Sequence, residues 1–159
     1  MARQLWLLRH GDAEPYEASR PDAERRLTER GHRQSRDAGT ALARLGLQPA
    51  AIFSSPKIRA HATATAVALT LDVDVVLHEP LAEDFDVDEA RTLLAAAPDN
   101  GSVLVVGHEP DLSQVMHDLT GSRLHFKKGG VAAIRLDTLS GPGELVVLLR
   151  PRELAAVAG

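Results

Sequence analysis

Apolar positions follow two rhythms along this chain. Short continuous apolar runs alternate with longer stretches in which apolar residues recur every three or four positions. Residues 4–8, 51–54 and 73–77 read as buried or half-buried strands. The run 102–106, Ser-Val-Leu-Val-Val, is the clearest case, since a strand covered on both faces has no need of polar alternation. The stretches 28–45, 56–71, 87–97 and 110–120 read as helices. Thr28 is placed to cap the first, with Ala38, Leu42 and Leu45 on one face and Gly46 at the usual stopping place. Ser55 and Pro56 read as the cap and first position of the second. Pro98-Asp-Asn-Gly101 breaks the third, and Pro110 opens the fourth. Two final strands, 131–136 and 144–149, are joined by the turn Ser140-Gly-Pro-Gly143. Segment 12–27 is polar and reads as a surface loop. The tail 151–159 is read as either helical or frayed.

This alternation predicts an α/β fold: a three-layer arrangement with a mainly parallel central sheet and helices on both faces. The 159 residues are enough for one domain, 1–159, with a sizeable core. A formal net charge of −4 argues against general binding to nucleic acid or membrane surfaces, and aromatics are sparse. The absence of cysteine excludes disulfides, thiolate catalysis and cysteine zinc sites. No apolar run approaches the ~20 residues that span a bilayer, and no signal peptide is evident, so a cytoplasmic protein is expected, with a monomer as the default.

Three polar clusters follow strands, and in an open α/β sheet those loops gather along one edge, where ligands bind. They are Arg9-His10-Gly11, Ser54-Ser55-Pro56 with Arg59, and Gly107-His108-Glu109-Pro110. Taken singly, Arg59 reads as a solvated helix arginine and His108 as a hydrogen-bonded turn residue. Convergence changes that reading. Two arginines and two histidines at the exits of separate strands are costly to cluster without an anion between them, and a phosphate fits. His10 can attack phosphorus as a neutral imidazole, while Arg9, Arg59 and His108 neutralise the equatorial oxygens. Gly11 is expected to let the backbone turn and approach the bound group. Glu83, in Pro80-Leu-Ala-Glu-Asp-Phe-Asp86, is the candidate general acid, ahead of Asp84 and Asp86; its alternative is a solvated loop. The seven histidines show no compact ligand spacing with carboxylates, so no metal or other cofactor is expected.

Leu8-Arg-His-Gly-Asp-Ala13, Leu27-Thr28 with Gly31, Ser54-Ser-Pro56 with Arg59, Ala60 and Thr63, and Gly107-His-Glu-Pro110 together resemble the histidine phosphatase superfamily. Within it the chain resembles the small phosphohistidine phosphatases of the SixA type. The resemblance implies a phosphoglycerate mutase-like fold, a nucleophilic His10, phosphate ligands Arg9, Arg59 and His108, and no metal. Ala62 stands where the second block often has glutamine. SixA-type proteins commonly lack a clear general acid, whereas Leu81-Ala-Glu83 resembles the acid-bearing loop of other members. Two substrates therefore compete: a phosphohistidine-bearing protein of a phosphorelay, and a small phosphorylated metabolite with Glu83 as acid. A reading from another class is a non-catalytic phosphate or phosphoprotein sensor. The rim carries Asp12, Glu14 and Glu17 opposite Arg20, Arg25 and Arg26. Lys127-Lys128, beside a glycine pair, reads as a rim contact or a plain surface turn.

Overall fold

Residues 2–159 are described by a computed structural model. Six strands form one sheet: β1 (Arg3–Arg9), β2 (Ala51–Ser54), β3 (Val75–Leu77), β4 (Ser102–Gly107), β5 (Val131–Leu136) and β6 (Gly143–Leu149). Five helices surround it: α1 (Glu29–Arg44), α2 (Ile58–Leu71), α3 (Val87–Leu94), α4 (Asp111–Thr120) and α5 (Pro151–Ala158). The strand order is β3-β2-β4-β1-β5-β6. β3, β2, β4 and β1 pair in parallel, and β5 runs antiparallel to both β1 and β6. This is the mainly parallel α/β sheet that the alternation of runs predicts.

The side-chain period of two divides each strand between two cores. Leu5, Leu7, Val103 and Val105 point to one face, where α3 and α4 bring Leu94, Leu112 and Met116. Trp6, Leu8, Leu104 and Val106 point to the other, against Leu42 of α1, Val67 of α2 and Leu154 of α5. Every residue of β4 is buried, which explains its unbroken apolar run.

The local signals hold in several places and fail in others. The Thr28 side chain accepts from the Gly31 amide at 3.1 Å and caps α1. Gly46 follows α1 with φ of +84°, a conformation that suits glycine. Leu45, expected on the apolar face, is instead 49% exposed, because α1 ends at Arg44 and the chain turns away from the core. α2 starts at Ile58, later than the Ser55-Pro56 signal suggests. The Ser55 hydroxyl is drawn off to accept from the Lys57 amide and to bond His108, so it does not cap the helix. α3 ends at Leu94, and Ala96 and Ala97 close tighter turns on Leu93 and Leu94. The tail forms α5 and packs on α1.

Segment 12–27 is not a free surface loop. Ala13 bridges to Leu27, both are buried, and Glu14 N donates to Arg26 O at 2.9 Å. At its far end Asp22–Glu24 form one turn of 3-10 helix. No helix among the described residues is long and apolar enough to cross a membrane.

Candidate active site

The site begins with two adjacent parallel strands. Arg9 of β1 is the register partner of Gly107 of β4, so His10 and His108 leave the sheet side by side. Their ring centroids are 5.1 Å apart. β2 leaves on the other side of β4, and its continuation brings Ser55 and then Arg59 to the same place. Arg9 and Arg59 thus meet His10 and His108 as the sequence predicts.

His10 is 5% exposed and held at both ring nitrogens. Nδ1 lies 2.7 Å from the Gly11 carbonyl oxygen, which can only accept, so Nδ1 carries the proton. Nε2 keeps its lone pair and accepts from Arg59 Nε at 3.3 Å. Burial, together with the charges of Arg59, Arg9 and Arg25, pushes His10 down to about 4. Burial, the His10 ring and the charges of Arg59 and Lys57 push His108 down to about 3. Both rings are therefore neutral at pH 7. The Ser55 hydroxyl lies 2.8 Å from His108 Nε2 and already accepts from Lys57 N, so its own proton is free to go to Nε2. That arrangement leaves the proton of His108 on Nδ1, a buried atom with no partner among the described residues. Arg9 Nε is a second such atom. Unpartnered buried donors are costly, and an incoming oxyanion would satisfy both.

Arg9 is positioned from below. Its Nη1 donates to Phe126 O at 2.8 Å, while the buried Glu109 carboxylate accepts from Phe126 N at 3.2 Å and from Ser113. Burial lowers the Arg9 pKa, and Glu109 opposes that shift. Glu109 thus fastens the loop between α4 and β5 beneath Arg9, a role that its place in the Gly107–Pro110 cluster does not reveal. Gly129, at φ of +81°, donates to the carbonyls of Arg9 and His10 from the same loop.

Gly11 serves a packing contact that its place in the motif does not reveal. A Cβ there would lie 2.7 Å from Gly31 O, so two backbones touch where α1 begins. Its amide donates to Thr63 Oγ1 at 3.1 Å, and Thr63 in turn donates to Arg59 O.

Asp22 is the residue that sequence reading missed. Its backbone oxygen accepts from Arg59 Nη1 at 2.9 Å, and its carboxylate accepts from Arg59 Nη2 and Lys57 Nζ, each at 3.0 Å. Arg25 adds a contact at 2.9 Å. Burial opposes ionisation of Asp22, but the hydrogen bonds from Arg25, Lys57 and Arg59 prevail and hold its carboxyl far below the usual range. No local periodicity marks Asp22, because its partner lies 37 residues away.

Glu83 is exposed and makes no hydrogen bond or ion pair among the described residues. Its neighbours have structural duties. Asp86 caps α3 by accepting from the Glu89 amide, and Phe85 N donates to Asp111 Oδ2 at 3.3 Å. Burial and the nearby Asp84 raise the Asp111 pKa. Among the described residues no group of three or more histidine and carboxylate side chains is placed to hold a metal ion.

Residues 5–97 match the model of the histidine phosphatase superfamily (branch 1). An uncharacterised protein of Picosynechococcus sp. is 31% identical over 83% of this chain and 84% of its own. The mitochondrial serine/threonine-protein phosphatase Pgam5 of Drosophila ananassae is 32% identical over 77% of this chain but only 38% of its own. The structure of the protein histidine phosphatase SixA complexed with tungstate superposes with a TM-score of 0.84 at 27% identity, covering 95% of this chain and 99% of that one.

Proposed function

This chain belongs to the histidine phosphatase superfamily, branch 1, and is a phosphatase; on that premise we propose that it works through a phosphohistidine formed on His10, without a metal. The observation that carries this reading is the locked imidazole. With Nδ1 donating to Gly11 O, the lone pair lies on His10 Nε2, which attacks as the 3.3 Å hydrogen bond from Arg59 Nε gives way.

In the first half-reaction Nε2 forms a bond to phosphorus as the bond to the leaving group breaks, and the leaving group takes up a proton. Arg9, Arg59 and His108 Nδ1–H hold the equatorial oxygens through the transition state. Asp22 takes one N–H from each terminal nitrogen of Arg59, so its withdrawal would free further donors for a phosphate. In the second half-reaction water attacks the phosphohistidine, its proton departs, and His10 returns to the neutral form with release of inorganic phosphate.

The substrate favoured by this site is a phosphohistidine in a phosphorelay-type protein. A nitrogen leaving group needs less help from an acid than an alkoxide does, and Glu83 stands exposed without partners. The SixA structure, that of a protein histidine phosphatase, supports the same class. The test is phosphate release in excess chelator from a phosphohistidine peptide and an aryl phosphate, side by side, with His10→Ala as control. We expect faster release from the phosphohistidine, a trapped phosphoenzyme that is labile in acid and stable in alkali, and neither activity in a folded His10→Ala. Substantial turnover by that variant would remove His10 as nucleophile. A preference for the ester would remove the phosphohistidine substrate.

A further inference from the structure

The edge of the sheet that carries the site continues past Arg9 into a cleft of about 790 Å³. The topology explains what gathers there. Leu8 of β1 pairs with Val131 of β5, which pairs with Leu149 of β6, so the end of β1, the start of β5 and the end of β6 lie in one row. The cleft is walled by Arg30 and Arg33 of α1, Lys127 and Lys128 before β5, and Arg150 and Arg152 where β6 passes into α5. Arg9 joins the cleft to the catalytic site.

These seven cations face only two lining carboxylates, Asp12 and Asp37, in a chain whose formal net charge is −4. Internal neutralisation is incomplete. Lys128 reaches Asp12 at 3.5 Å, Arg150 grips Glu153 at 2.8 Å, and Arg33 meets Glu29 at 4.0 Å. Arg30 and Lys127 form no ion pair among the described residues. The lysines are not on a loose arm, because Gly129 and Gly130, immediately after them, bond the backbone of Arg9 and His10. Like charges held together on a fixed scaffold repel one another and attract a complementary anion.

We propose that this cleft receives an acidic segment of the phosphoprotein substrate, so that carboxylates flanking the phosphorylated residue lie on the cations while the phosphoryl group meets His10. The identity of that segment rests on the phosphohistidine reading above. The cations come from four separate parts of the chain and line a space open to solvent. That spacing suits the dispersed carboxylates of a polypeptide better than a single phosphate, which calls for convergent donors.

Two measurements separate the cleft from the substrate reading. In the first, a fluorescent peptide rich in aspartate and glutamate, carrying no phosphate, is titrated into the wild type, into Arg30→Glu/Lys127→Glu, and into Arg36→Glu/Arg135→Glu, which changes net charge equally outside the cleft. Binding is expected to weaken about tenfold or more in the cleft variant and clearly less in the matched control. Equal weakening in the two variants, or no binding by the wild type at low salt, overturns the proposal. In the second, two phosphohistidine peptides, one with acidic and one with neutral flanks, are compared by kcat/KM. The acidic flanks should give an advantage that disappears in the cleft variant, while aryl phosphate turnover is unchanged. An advantage that survives in the cleft variant overturns the proposal. Specific binding in the first measurement, with neither peptide hydrolysed in the second, retains the cleft and removes the phosphohistidine substrate.

Discussion

The carboxylate of Asp22 lies 3.0 Å from Nη2 of Arg59, and its backbone oxygen takes the other terminal nitrogen of the same guanidinium. With Nε turned to His10, all three nitrogens of Arg59 are engaged within the chain. On the proposed mechanism, an internal anion therefore shares the guanidinium that would bind a phosphate. Asp22→Ala is expected to tighten inhibition by tungstate or inorganic phosphate about tenfold, the order of one charge-assisted hydrogen bond. Inhibition constants measured at fixed salt check this. Weaker inhibition would mean that Asp22 orients Arg59 and does not compete for it.

Ser55 is fully buried, and its hydroxyl lies 2.8 Å from Nε2 of His108, the one side-chain partner of that ring among the described residues. Ser55→Ala leaves His108 Nε2 unpaired and is expected to lower kcat/KM about tenfold and to cost about 1–3 kcal/mol of stability. Ser55→Thr, which keeps the hydroxyl, should restore most of the activity if it folds. Loss of stability with unchanged kcat/KM would limit Ser55 to a structural part.

Burial and neighbouring charge push His10 down to about 4 and His108 down to about 3. In the unfolded chain a histidine takes its proton near pH ~6.5. Between that value and the folded pKa values the unfolded chain holds more protons than the folded one. Stability contributed by these two rings is therefore fully present above pH ~6.5 and is lost as pH falls toward 4. Urea midpoints recorded from pH 7.5 down to pH ~4.5 should decline, and the His10 ring signals in NMR should stay those of a neutral imidazole over the same range. A His10 midpoint near the ordinary histidine value would contradict the buried, cation-flanked ring.

Glu83→Gln is expected to change phosphohistidine hydrolysis by less than about threefold and to slow aryl phosphate hydrolysis more, because only the oxygen leaving group gains from an acid. Parallel kinetics on the two substrates decide the point. Equal effects would exclude Glu83 as general acid.

Gly31 carries a constraint of another kind. A Cβ at this position would lie 2.0 Å from the backbone oxygen of Asp12, and backbone cannot rotate aside. Gly31→Ala should destabilise the fold by about 3 kcal/mol or more, measured by urea unfolding. A loss well below 1 kcal/mol would show that α1 can slide away from the β1 exit at little cost.

Much of the fold is legible because its signals are local. The unbroken apolar run of β4 follows from burial on both faces, and Thr28 and Gly46 bracket α1 through cap chemistry that acts within a few residues. The candidate cluster is legible because the exits of three strands carry its residues. The sequence misleads where two uses compete for one group. Ser55 resembles a helix cap, yet its hydroxyl serves His108. Gly11 resembles a ligand-facing turn, and the structure adds a close backbone contact with Gly31 that the motif does not show. Asp22 shows no signal at all, since an acid in a polar segment looks solvated until the fold brings Arg59 to it.

His10 and His108 are neighbours because Arg9 and Gly107 are register partners, so their separation is set by the spacing of two paired strands. The segments that shape the approach to them, 12–27, 79–86 and 121–130, are connections outside that ladder. On the proposed mechanism, reactivity and choice of substrate thus reside in different parts of the chain. A library randomised over Lys127 and Glu83 could be searched for new substrates without disturbing the distance between the two imidazoles. By the same logic, related chains can diverge widely in what they dephosphorylate while sharing one reaction.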